Sequence, residues 1–124
     1  MKDNQKVVAI RGAITANSNT EIEILQQTEV LLKQIFKTNQ LSNDSIISIF
    51  FTMTADLDAT YPAKAARILG ITQAALMCAR ELPVPNSLKK CIRVMIHCYL
   101  DENKDPKHIY LGEAKSLRPD LMEN

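Results

Sequence analysis

The sequence contains no tryptophan and only three glycines, Gly12, Gly70 and Gly112. Glycines so sparse and scattered cannot build a loop that cradles a phosphate, and no serine sits in a nucleophile elbow. Cysteine is scarce as well. There are three, an odd number, and Cys91 and Cys98 fall in an apolar segment. That usage points to reduced thiols in a cytoplasmic protein rather than a disulfide frame. Excess charge of either sign is missing too: 15 basic residues stand against 14 acidic ones, and no basic block occurs. Nucleic acid is therefore not the expected partner. No apolar run reaches the length of a membrane span, and the polar start "MKDNQK" does not read as a signal peptide.

What remains is a chain of 124 residues, one domain with room for a core and no need of disulfides or metal. "VVAIRGAI" (7–14) reads as a strand carrying Arg11. The next segment, "NSNTEIEILQQTEVLLKQIFKTNQL", is the clearest helix. Thr20 and Glu23 make a capping box, and Leu25, Thr28, Leu32, Ile35 and Phe36 form its apolar stripe. "DSIISIFFTMT" (44–54) is a strand so apolar that both faces are expected to be covered. A shorter helix follows in "TADLDATYPAKAARILG", with Pro62 near its first turn and Gly70 as its stop. "QAALMCAR" is a weaker strand, "ELPVPNS" a loop, and "LKKCIRVMIHCYL" (88–100) a strong strand. "KHIYL" is a short last strand and "EAKSLRPDLMEN" a tail, flexible from about 115 to 124. The order β-α-β-α-β-β-β fits an α+β fold, a mixed β-sheet with helices on one face.

Several candidate sites fail on geometry. His97 and Cys98 are strand neighbours pointing to opposite faces, so they cannot share a metal. Asp56 and Asp58 of "DLD" are better explained as turn and cap acceptors before a helix. The arginines are harder to dismiss. Arg93 lies in the strong strand, where Ile92, Val94, Ile96, Cys98 and Leu100 share one parity, and Arg11 lies in the first strand. A buried guanidinium costs several kcal/mol unless an anion meets it. Either each arginine pairs with an internal carboxylate, or the two form an anion-binding pocket near Glu81. The residue pattern alone stops there.

Taken in order, "IRGAIT", "YPAKAAR", "MCARE", "LKKCIRVM", "HIYLGEA" and "LRPDL" resemble the AroH-class chorismate mutases, the small monofunctional type. The resemblance spans nearly the whole chain. It implies a homotrimer with a pseudo-barrel core and active sites in clefts between subunits. The implied reaction is the Claisen rearrangement of chorismate to prephenate, with no cofactor, no metal, no covalent step and no proton transfer. By resemblance the catalytic residues are Arg93 at the ether oxygen and enolpyruvyl carboxylate, and Glu81 with Cys78 at the ring hydroxyl. Arg11 and Tyr110 are expected to grip the same carboxylate. Tyr61, Ala63, Lys64 and Arg67 form a wall lent by the neighbouring subunit, and Arg118 covers the ring-carboxylate end. Leu76, Met77, Ala79, Arg80 and Leu117 complete the implied substrate-binding set. Two rivals stand beside this reading. One is a trimeric enamine/imine deaminase of the RidA type; the other is a non-catalytic trimer that binds a dicarboxylate.

Overall fold

In the computed structural model the described residues are 4–117. The strands are β1 (Gln5–Thr15), β2 (Ile46–Met53), β3 (Ala75–Arg80), β4 (Cys91–Asp101) and β5 (Ile109–Tyr110). Helix α1 (Glu21–Asn39) joins β1 to β2, and α2 (Ala63–Ile68) joins β2 to β3. Short 3-10 helices occupy Asn43–Ser45 and Gly112–Leu117. The sheet order is β3-β2-β4-β1-β5. β4 runs antiparallel to both neighbours, whereas β2/β3 and β1/β5 are parallel pairs. The four outer strands thus share one direction, and parallel strands need crossover connections, which the two helices supply.

Helix α1 begins where the capping chemistry sets it. Thr20 Oγ1 accepts from Glu23 N at 3.2 Å, but Glu23 Oε2 accepts from Asn17 N at 2.7 Å instead of closing back on the cap. The stripe facing the sheet is Ile24, Thr28, Leu31, Leu32, Ile35 and Asn39. It is rotated from the expected one: Leu25 and Phe36 lie on its flank, half-buried. The helix lies close to β1 at Gly12, where a Cβ would come within 2.7 Å of Ile35 Cδ1. Any side chain there would require Ile35 Cδ1 to move aside. Asn39 is buried because its amide is fully used, donating to Ile35 O and Lys107 O and accepting from Lys107 N.

One core fills the space between α1, α2 and one sheet face. It includes Ile10, Ile14, Leu31, Leu32, Phe51, Ala66, Ile92 and Ile96. A smaller cluster on the opposite face joins Ala13, Cys91, Tyr110 and Ala114, with Leu88 and Leu117 packed against it. Leu117 is therefore packed against the sheet. The described 3-10 helix runs through Leu117; Arg118 and the rest of the tail lie outside the described residues.

The second expectation to change concerns coverage of the sheet. In the single chain Phe50 is 44% exposed, so β2 is covered on one face only. Register explains the division. Met77, Phe50, Met95 and Arg11 form one row across β3, β2, β4 and β1, and Ala79, Thr52, Arg93, Ala13 and Tyr110 form the next. Both rows point away from the helices. Cys78, Phe51, Val94 and Gly12 form the intervening row, which points toward them. Among the described residues no helix is long and apolar enough to cross a membrane.

Candidate active site

Arg93 rises from the outward face of β4, where its side chain is 46% exposed. The desolvation cost anticipated for an arginine in this strand is thus largely avoided. Its guanidinium meets Glu81 in two places, Nε to Oε2 at 2.9 Å and Nη2 to Oε1 at 2.8 Å. Thr52, opposite Arg93 on β2, donates its hydroxyl to Glu81 Oε2. Glu81 is positioned by the sheet as well, since its N–H extends the β2 ladder to Met53 O at 2.9 Å. The hydrogen bond from Arg93 is the main reason the Glu81 carboxyl lies below its ordinary value of 4.5; burial opposes it, and Thr52 and the positive charge add to it. The same hydrogen bond holds Arg93 protonated more firmly. Both groups are ionised at neutral pH.

These residues line a cleft of about 410 Å3 together with Arg11, Tyr110, Leu117 and the apolar Phe50 and Met95. Among the described residues no carboxylate pairs with Arg11, so one guanidinium faces the cleft without a protein counter-ion. The Arg11 backbone is fixed separately, its N–H donating to His108 Nδ1 at 2.9 Å. The chemistry of the walls suits a small anion with an apolar body. Two guanidinia and a tyrosine can bind carboxylates, and one carboxylate can accept from a hydroxyl.

The start of β4 is pinned by a residue with no catalytic chemistry. Asp56 accepts from Lys90 N through both oxygens, at 3.1 and 2.9 Å, and Thr54 Oγ1 accepts from Cys91 N at 3.0 Å. Asp58 accepts from Asn19 Nδ2 at 2.8 Å. The "DLD" pair thus serves turn geometry, as its sequence context implied. His97 and Cys98 also point apart, His97 to Ser48 Oγ at 3.2 Å and Cys98 into the core. Burial pushes the thiols of Cys91 and Cys98 up to about 11.

Cys78 does not share the Arg93 cleft. It lies in the row that faces the helices, so within one chain it cannot sit beside Glu81 on a common ligand group. Instead it lines a second cleft of about 390 Å3, with Tyr61, Ala79 and Arg80. Nearby, Ala63 is buried in the core, Lys64 Nζ is tied to Glu21 Oε2 at 2.8 Å, and Arg67 is exposed in the last turn of α2. On β3, Leu76 leans on the core and Met77 is 60% exposed on the outward face. The expected site residues therefore fall into two groups in one chain, one around Arg93 and one around Tyr61. Thr52 escaped the sequence reading because its place beside Glu81 depends on strand register, which no local pattern reveals.

Comparison with known proteins gives consistent matches. The family model described as chorismate mutase type I matches residues 7–121. A chorismate mutase AroH of Thermus thermophilus is 43% identical over 117 residues, covering 93% of this chain and 96% of the relative. The corresponding protein of Bacillus subtilis is 42% identical over 114 residues, covering 90% of each. A solved structure titled as a chorismate mutase from Clostridium thermocellum superimposes with a TM-score of 0.83 at 53% identity. That alignment covers 88% of this chain and 98% of the other.

Proposed function

This chain belongs to the chorismate mutase type I family, and from that premise we propose that its two clefts are halves of one active site shared between copies of the chain. The activity is that of a chorismate mutase, an isomerase converting chorismate to prephenate in aromatic amino acid biosynthesis. The match decides against the deaminase and the non-catalytic alternatives.

The rearrangement breaks an ether C–O bond as a C–C bond forms in one cyclic transition state. No proton changes hands and no nucleophile attacks. The protein's task is to hold the compact reactive conformer and to stabilise charge as it develops. Negative charge grows on the ether oxygen, so a fixed cation there helps the transition state more than the ground state and raises kcat. Arg93 supplies that cation, and its planar fork can serve the ether oxygen and the adjacent carboxylate together. Arg11 and Tyr110 hold the same carboxylate. Glu81 accepts from the ring hydroxyl and favours positive character on the ring.

A second copy contributes Tyr61, Ala63, Lys64, Arg67, Leu76, Met77, Cys78, Ala79 and Arg80. This division supports the reading because Cys78 faces away from Arg93 in its own chain yet is implied at the same substrate group. The exposed row Met77, Phe50 and Met95 is an apolar surface that assembly would cover. By resemblance to the family we assign a homotrimer, one domain per chain, in the cytoplasm, where three free thiols are at home. Arg118 is assigned, by the same resemblance, to bind the ring carboxylate of the substrate.

The observation that carries the proposal is the forked Arg93–Glu81 pair facing Arg11 and Tyr110 in one cleft. Mixing purified protein with chorismate and following loss of its ultraviolet absorbance, with and without a chelator, is the test. Turnover to prephenate unaffected by the chelator is expected. Absent or metal-dependent turnover contradicts the reading.

A further inference from the structure

The two oxygens of Glu81 are not equivalent. Among the described residues Oε2 receives two donors, the Thr52 hydroxyl and Arg93 Nε, whereas Oε1 receives Arg93 Nη2 alone. A carboxylate oxygen offers about two lone-pair positions. Oε2 is filled and Oε1 is half open. Thr52 is the penultimate residue of β2, an interior strand, and is paired with Ala79 on β3 and Arg93 on β4. Glu81, by contrast, follows the end of the edge strand β3 and precedes the loop "LPVPNS".

We infer that Thr52 is a positioning residue for the rearrangement: its hydroxyl anchors Glu81 through Oε2, leaving Oε1 to meet the substrate's ring hydroxyl. The inference rests on the roles proposed above for Glu81 and Arg93. Arg93 has five N–H donors and Glu81 engages two of them, one on Nε and one on Nη2, so Nη1 and the second Nη2 proton are left for substrate. As the guanidinium is drawn toward the ether oxygen, a Glu81 held by Arg93 alone would follow it. The Thr52 hydroxyl provides a second anchor from an interior strand, so the carboxylate stays aimed while Arg93 engages substrate. Such prior fixing is what makes a charged group effective in a transition state.

The test compares Thr52→Val, which is isosteric but has no hydroxyl, with Thr52→Ser, which keeps it. Loss of a hydrogen bond to a charged group is worth about tenfold or more, so kcat of Thr52→Val should fall by about that factor. KM should change by less than about twofold, and Thr52→Ser should restore kcat to within about twofold. The acid limb of kcat/KM should also move to higher pH in the valine variant and not in the serine one, because the carboxylate loses a donor. A residue that merely packs the strand would not move that limb. Thr52→Ala carries the same expectation if the valine variant fails to fold. Glu81→Ala is assayed alongside. A normal kcat for Glu81→Ala overturns the reading of the site and this inference with it. An impaired Glu81→Ala with a normal Thr52→Val, or a serine variant as damaged as the valine one, overturns the role of Thr52 alone.

Discussion

Arg93 and Glu81 lie twelve positions apart in the chain and meet through two parallel hydrogen bonds, Nε to Oε2 at 2.9 Å and Nη2 to Oε1 at 2.8 Å. The pair is partly open to solvent, so it is cheap to maintain and available to a substrate. An arginine spent wholly on a buried carboxylate could not exchange partners so readily.

The pair sets the expected pH dependence. Because the folded-state pKa of Glu81 is lowered below 4.5, chiefly by the Arg93 hydrogen bond, its contribution to stability is present above that ordinary value. It is lost as pH falls through the lowered value. The chemistry itself moves no proton. Rate profiles should therefore be flat through neutrality and fall only in acid, below the usual glutamate range. A kcat/KM profile with an essential group titrating near pH 7 would contradict the assignment.

The proposed sharing of each site between subunits predicts complementation. Arg67→Ala should damage one half of a cleft and Arg93→Ala the other, each inactivating all sites in its own assembly. Mixing the two proteins and allowing chains to exchange should restore some intact sites and raise activity above either parent. If Arg67→Ala is itself severely impaired, unchanged activity after exchange verified by mass would mean each site lies within one chain.

Much of this architecture was legible beforehand. The Thr20 cap, the parity of β4 and the stop at Gly70 (φ +86°) are local features, set by residues close together in the chain. The α1 stripe was misjudged by one position because Ile24 and Leu25 are equally apolar, and only the position of β1 decides which faces inward. Asn39 gave no sign of burial, since its partner at Lys107 is 68 residues away. The catalytic types came from the family resemblance; their partition into two clefts came from strand register. Cys78 illustrates the difference. Three positions separate it from Glu81, yet alternation along β3 sends it to the helix-facing side.

The role proposed for Arg118 makes a kinetic prediction. Leu117 packs against Tyr110 and Ala114, so truncation should begin at Arg118 to leave that cluster whole. The ring carboxylate keeps its charge throughout the reaction, so Arg118 serves ground state and transition state alike. Loss of such uniform binding raises KM and spares kcat. Steady-state kinetics of the truncated protein should show a higher KM at near-normal kcat, and a fall in kcat at constant KM would refute this role.

The central claim is that a forked, permanently charged group stabilises the ether oxygen as its bond breaks, and kcat of Arg93→Lys tests it most directly. Lysine keeps one positive charge but cannot present two donors in the same plane. Removing one preorganised transition-state donor commonly costs about a hundredfold in kcat, and a charged donor more. Measured on a variant whose thermal melt and assembly match the parent, kcat should fall by at least that factor. A lysine variant turning over chorismate at close to the parent kcat would contradict the account.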